Sequence, residues 1–594
     1  MKKTILFLMA FLPMCLFAES ISLDEAKKIA ENFFRRQLSR GSSTALRMVY
    51  DGETPGSRST GNVPALYVFD HINQPGFVVV SGDDATCSVL GYSYSSDFPE
   101  GQLPENIESW LQGMKSQINA LRSQGMVSLP QESRVASTGD VVVQLSTPKW
   151  NQDDPFNREM PIVGGKRSPT GCTITSMAIA VRYLKWPENR TMDIPAYTTS
   201  TNQVSIAARP SGKAYDWDNM LLEYKSGQYS EAQAAEVARL MADIGSMMNA
   251  DYRANETSAN PGYVVEKLTS YMDYDKTMRF VQRHQYNKQD WYDLMKNELD
   301  NNRPIIYGGY KNDEKGEATA GHSFILDGYT TADYFGVNWG WGGYCDGYFK
   351  LDAMSPSGSG IGGNNDHYND SQNAVIGLKK NEGGEGSYWI TLGEKGFTNK
   401  PTNVKTNVPF SVSMDGIWNM GNATFNGTFL WALTDAEGAI KQELYKFYYD
   451  LSASQGFSEK SLEPFLKFTI TKTINVGDRI RVFYQPKGET EWTLVKGGDE
   501  CTWELLVGDK YTIAESTSLE YDRVTRKLKV QVKEGVDVSF ISSDGKPLSS
   551  RLNKVGNTAT VNAEGLSKGT YLLKFSKGDE KHELKIQLGT AQSN

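Results

Sequence analysis

Near residue 304 the spacing of apolar residues changes, and that change restricts the fold more than any other feature of the sequence. Before it, apolar positions recur at helical spacing: Ile174, Met177, Ala178, Val181 and Leu184 in one stretch, 234–248 in another, and shorter stretches at 263–271 and 291–299. After it come short extended runs at 304–308, 323–328, 334–338 and 347–351, separated by Gly- and Asp-rich turns. Helices followed by an antiparallel sheet make an α+β unit, here spanning about 141–380.

One of these helices starts in an unusual chemical setting. Pro169 and Gly171 make a turn, which places Cys172 at or just before the first helical turn. Backbone N–H groups without helical partners and the positive end of the helix dipole favour a thiolate there. A nucleophile also needs a base within hydrogen-bond reach and a group to hold that base. The chain has five histidines. His322 opens a strand directly after Gly321, and the next strand ends in Asn338-Trp339, so neighbouring strands would bring Asn338 or Trp339 against the imidazole. His71 reads as a solvated turn residue and His284 as polar surface. His367 reads as a loop residue near the site, or as a calcium ligand with Asp366 and Asp370, although the carboxylates lack EF-hand spacing. Alone, Cys172 would read as a structural thiol; the helix start, His322 and Asn338 together point to catalysis.

The remaining cysteines, Cys87, Cys345 and Cys501 with Cys15 near the start, show no zinc spacing and are too sparse for a disulfide scaffold. They read as free thiols, with Cys87 and Cys501 as small buried hydrophobes. No metal or other cofactor is expected.

At 594 residues the chain needs several domains. Lys2 and Lys3 precede an apolar run at 5–17 and a small residue, Ala18, so 1–18 reads as an export signal. Met14 disfavours a lipid anchor at Cys15. No later run approaches the length of a membrane span. The expected location is secreted, at a bacterial cell surface, or periplasmic. A net charge of −9 with scattered Lys and Arg argues against a nucleic-acid partner. Residues 19–140 read as a small α+β unit, with a helix capped by Ser22, a hairpin of strands at 65–69 and 76–80, and a second helix carrying Ile107, Trp110, Leu111, Met114 and Ile118. The unit closes in a polar, protease-accessible linker at 123–140. Placed ahead of a candidate nucleophile, that is the layout of an inhibitory propeptide; two stably joined domains are the alternative. Period-2 segments dominate 385–508 and again 509–594, which predicts two small β-sandwiches.

Four motifs carry a resemblance: Trp150-Asn151-Gln152 with Pro155-Phe156-Asn157, Thr170-Gly171-Cys172 with Thr175, Gly321 to Gly328, and Val337 to Gly343. Together they resemble the streptopain family of papain-fold cysteine peptidases. Met241 to Gly245, Asp251-Tyr252 and the Gly-rich 355–363 segment also match, and 76–84 resembles that family's propeptide. The resemblance implies a papain-like domain behind an α+β propeptide, Cys172 as nucleophile and His322 as general base and acid. It further implies Gln152 as an oxyanion donor, and Ser258 and Gly321 as substrate contacts near the scissile bond. Papain relatives orient the histidine with an asparagine, whereas the streptopain group packs the adjacent tryptophan there, so Asn338 and Trp339 stand as joint candidates. Cys345 reads as structural. The implied activity is endopeptidase hydrolysis of protein or peptide substrates, favouring a hydrophobic residue two before the bond, with the propeptide as intramolecular inhibitor. The rivals are a non-catalytic secreted binding protein and another thiol amidase or deamidase on the same fold. The last unit, with 543–546 and 566–571, resembles C-terminal sorting domains, or is an ordinary β-module.

Overall fold

Strand-forming runs on both sides of the polar 123–140 stretch join one sheet. In the computed structural model an eleven-stranded antiparallel sheet runs through Arg279–Gln282, Asn373–Ile376, Ile305–Asn312, Ala318–Thr330, Phe335–Asn338 and Gly347–Phe349. It continues into Val89–Ser93, Phe77–Ser81, Leu66–His71 and Leu46–Tyr50, and Val141–Gln144 adds to the far end of Ala318–Thr330. The join is made by Tyr348 opposite Tyr92 and Phe349 opposite Gly91. The structure describes residues 14–588 except 18–19, 38–44, 52–63, 125–126, 129–137, 313–317, 353–371, 402–403, 463–465, 508–516, 523–524, 578–579 and single positions 85, 100, 102, 400, 454, 476, 500, 543 and 568. The 355–363 segment and His367 lie outside the described residues.

The N-terminal strands are apolar on both faces because a helix covers each. Helix Leu23–Gln37 supplies Ala26, Ala30, Phe33 and Phe34 to one side, and helix Glu105–Gln124 supplies Trp110, Leu111, Met114 and Ile118 to the other. The first starts at a capping box: Ser22 Oγ accepts from Glu25 N at 3.4 Å, and Ser22 N donates to the Glu25 carboxylate at 3.0 Å. That backbone bond, with the Ser22 hydroxyl, holds the Glu25 carboxyl below its usual range. His71 is a correction to the sequence-based expectation. The strand runs through it and Phe34 closes over it edge-on, leaving it 5% exposed with its Nδ1 accepting from Asn73 N.

In the helical half, Ile174, Met177, Ala178 and Val181 pack on Val237, Leu240, Met241 and Ile244 of helix Glu231–Met247 and on Ile306, Ile325 and Val375 of the sheet. Buried Asp243 ties this layer together by accepting from Arg190 Nε at 3.1 Å, Arg209 Nε at 2.6 Å and Tyr215 Oη at 2.7 Å.

Residues 385–508 form a β-sandwich around Phe429, Trp431, Ile480 and Val482, and it docks on the edge of the long sheet. Arg283, buried, donates to Asp499 at 2.6 Å, and Asn422 Nδ2 donates to the carbonyls of Lys276 and Met278. The rings of Tyr286 and Trp389 stack at 5.0 Å. His284 falls in this interface, 3.8 Å from Glu394 and partly covered, which corrects its expected place on open surface. The last unit has one sheet of Ser518–Asp522, Lys527–Gln531, Thr558–Asn562 and Leu552–Val555. A second holds Asp537–Ser542, Gly569–Lys577 and Glu580–Leu588, with Met14–Phe17 and Val127–Ser128 paired along its edge. Among the described residues no helix is long and apolar enough to cross a membrane.

Candidate active site

The helix Cys172–Leu184 begins at the cysteine. Gly171 precedes it with φ +88°, and a Cβ there would meet Thr257 O at 2.5 Å, so only glycine fits this approach. Thr257 Oγ1 donates back to Pro169 O at 2.6 Å, clamping the turn. Gln152, buried, receives Thr170 N on its backbone carbonyl at 3.0 Å, which fixes it beside the same turn.

Across from this helix lies the strand Ala318–Thr330. Its His322 pairs with Gly309, a residue without a side chain to obstruct the ring. Thr173 and Ser323, each one residue past the candidate dyad, meet with hydroxyl oxygens 3.2 Å apart. Cys172, His322, Gln152 and Ser258 all line one cavity of about 1260 Å³, together with Thr173, Ser323, Trp341 and Asn373. Gly321 is the neighbour of His322 in the strand, opposite Tyr310.

Asn338 and Trp339 are not among the residues lining that cavity. Asn338 faces Ile325 in the ladder, and its amide donates to Thr147 Oγ1 at 3.0 Å and Pro148 O at 2.9 Å. Thr147 in turn donates to Asp327, and burial pushes that carboxyl up to about 6. Trp339 is buried against Phe324 and Phe349, with its Nε1 donating to Cys345 O. The rings of Phe324 and Trp339 have their centroids 4.8 Å apart. Trp341 was missed in the sequence, because the strand ends at Asn338 and Gly340, with φ +76°, turns the chain before it.

The N-terminal unit reaches this site. Leu103, Pro104 and Asn106 line the cavity, and Asn106 donates to Trp339 O at 2.7 Å while accepting from Trp341 Nε1 at 2.9 Å. Cys87, Cys345 and Cys501 are free, and burial raises each thiol above its usual range, Cys501 to about 12. Among the described residues no His, Cys, Asp and Glu side chains group as metal ligands.

A cysteine at a helix start facing a histidine on an antiparallel sheet, with a separate unit lying across the opening, defines a papain-fold cysteine peptidase. The Peptidase C10 family model matches residues 150–349, the Spi protease inhibitor model 18–118 and the secretion system C-terminal sorting domain model 524–588. Streptopain of Streptococcus pyogenes serotype M28 is 31% identical over 376 residues, which are 60% of this chain and 91% of streptopain. The chain belongs to the streptopain family of cysteine peptidases. The thiol protease/hemagglutinin PrtT of Porphyromonas gingivalis is 27% identical over 394 residues, 64% of this chain and 44% of its own length. A prointerpain A fragment of Prevotella intermedia is 29% identical with a TM-score of 0.45, covering 56% of this chain and 98% of the fragment.

Proposed function

We propose that the protein is an exported endopeptidase made as a zymogen, with Cys172 as its nucleophile and His322 as its general base and acid. What supports this best is that both residues line one cavity, on a helix and a strand bridged by Thr173 and Ser323. The thiolate attacks the substrate carbonyl while the Gln152 amide and the Cys172 backbone N–H receive the oxyanion. His322 protonates the leaving amine and then activates water to release the thioester. Trp341, which lines the same cavity as His322, keeps the imidazole in place. Ser258 and Gly321 hold the substrate main chain near the bond, and Met248 and Ala259 offer an apolar wall to a hydrophobic residue two before it.

In the proenzyme Leu103, Pro104 and Asn106 occupy substrate space, so the N-terminal unit inhibits until it is cut away. The C-terminal sorting match supports export. Cys172→Ala is the test. The variant should neither cleave casein nor bind an epoxide thiol probe, and retained hydrolysis would end the proposal. Product masses showing peptide cleavage, without deamidation, separate it from a deamidase.

A further inference from the structure

The chain carries a net charge of −9, yet the cavity wall carries four cationic side chains, Lys166, Arg167, Arg253 and Lys267, against two carboxylates, Asp153 and Glu256. Two of the cations are already neutralised. Arg253 is bonded to Glu256, and Lys267 lies 2.8 Å from Glu266. The other two meet only neutral acceptors: Lys166 Nζ donates to Asn255 Oδ1 at 3.0 Å, and Arg167 Nη1 to Met160 O at 2.7 Å. Among the described residues neither has a carboxylate within 4.0 Å. Asp154, which feels Arg167 at longer range, is bonded to Arg158 at 2.8 Å.

These cations sit at a defined place. Lys166 and Arg167 belong to the hairpin Ile162–Val163/Lys166–Arg167, which leads into the Cys172 turn. Asn255 is at the tip of a second hairpin, Asp251–Tyr252/Thr257–Ser258, and the Lys166–Asn255 bond joins the two. The base of the second hairpin is fixed beside the nucleophile by Thr257 to Pro169 O and Thr173 to Ala259 O. Its tip therefore projects past Ser258, away from Cys172. Three residues of extended chain span about 10 Å, enough to pass the residue held at Ser258 and reach the next ones.

We infer that Lys166, with Arg167 beside it, selects substrates carrying an acidic side chain three or four residues before the scissile bond. This rests on the peptidase reading and names its substrate class: extended, acidic stretches ahead of a hydrophobic residue. The carboxylate takes a charge-assisted hydrogen bond from Lys166, which then gives up or shares its Asn255 contact.

The test uses activated enzyme and three fluorogenic peptides that share one hydrophobic residue two before the bond and carry Glu, Gln or Lys at the third and fourth positions. At low salt kcat/KM should fall from Glu to Gln to Lys, by roughly 5- to 20-fold per step. The Glu/Lys ratio should shrink in 0.5 M salt, at about a 4–5 Å screening length, and reverse in Lys166→Glu. Lys460→Glu, in the distant β-sandwich, should leave the ratio as it is in wild type. Cleavage of all three peptides at equal rates, or a ratio untouched by Lys166→Glu, overturns the inference while the peptidase reading stands. No cleavage of any peptide by enzyme whose thiol still titrates overturns both.

Discussion

Thr173 Oγ1 and Ser323 Oγ lie 3.2 Å apart, linking the residue after Cys172 to the residue after His322. Either hydroxyl can donate in this pair, and the Thr173 hydroxyl also lies 3.3 Å from Ala259 O. This one bond fixes helix to strand at the point where the dyad must be in register. Ser323→Ala should lower kcat by about 3- to 30-fold with KM nearly unchanged, because a small displacement at the reacting atoms is costly. Thermal unfolding should move little, since a hydroxyl pair contributes about 1 kcal/mol. Active-site-titrated kinetics and a melting curve on the same sample check both parts.

Asn106 is the polar anchor of the inhibitory segment, buried between Trp339 O and Trp341 Nε1. Asn106→Ala leaves the buried Trp339 carbonyl without this partner, at about 1–3 kcal/mol, and frees the partly buried Trp341 Nε1 at smaller cost. The variant proenzyme should therefore activate faster, by about tenfold or more. The appearance of mature band and activity against time measures it; an unchanged rate would mean that the anchor does not hold the zymogen closed.

Asp327 gives a pH signature. Burial pushes its folded-state carboxyl up to about 6, against an unfolded value near 4. Between about pH 4 and 6 the native carboxyl keeps a proton that the unfolded chain has released, so stability is lost as pH rises through that window and the deficit stays constant above it. Two pH units correspond to about 3 kcal/mol. The stability difference between wild type and Asp327→Asn should shift in favour of the variant by about that amount from pH 4 to pH 7, whatever its fixed offset. Denaturant melts at the two pH values give the number.

The docked β-sandwich should unfold with the peptidase unit. Arg283 is buried and bonded to Asp499, whose side chain is half-exposed, and Asp499 also receives Lys288 N at 3.1 Å. Asp499→Ala should destabilise the joint unit by about 1–3 kcal/mol, a value reduced for solvent screening on the Asp499 side. Calorimetry should show one shifted transition. Two separate transitions in wild type would show that the interface does not couple them.

The chemistry of the site was more legible than its surroundings. Turn residues before Cys172 and the Trp-Gly-Trp run are local signals, and local signals survive in one sequence, whereas the strand expected to open at His322 starts at Ala318. Partnership across strands is not local. Asn338 looked suited to hold the imidazole, but register sets it opposite Ile325 and commits its amide to Thr147 and Pro148. Trp341, which does line the cavity, follows the end of the strand and the left-handed Gly340, so no periodicity marked it. His71 and His284 were misjudged for the same reason, because Phe34 covers one and residues 385–508 cover the other. The hairpin at 66–81 was visible in its two strand-like apolar runs, whereas its continuation into the peptidase sheet depends on Tyr92 meeting Tyr348, residues far apart in the chain.

That shared sheet has a consequence for the mature protein. If the N-terminal unit is cut away as proposed, Gly347–Phe349 loses the strand it pairs with and the core around Phe349 loses part of its cover. A mature enzyme released by the proposed cleavage therefore keeps an unpaired strand edge at Tyr348 and Phe349, where the proenzyme had none.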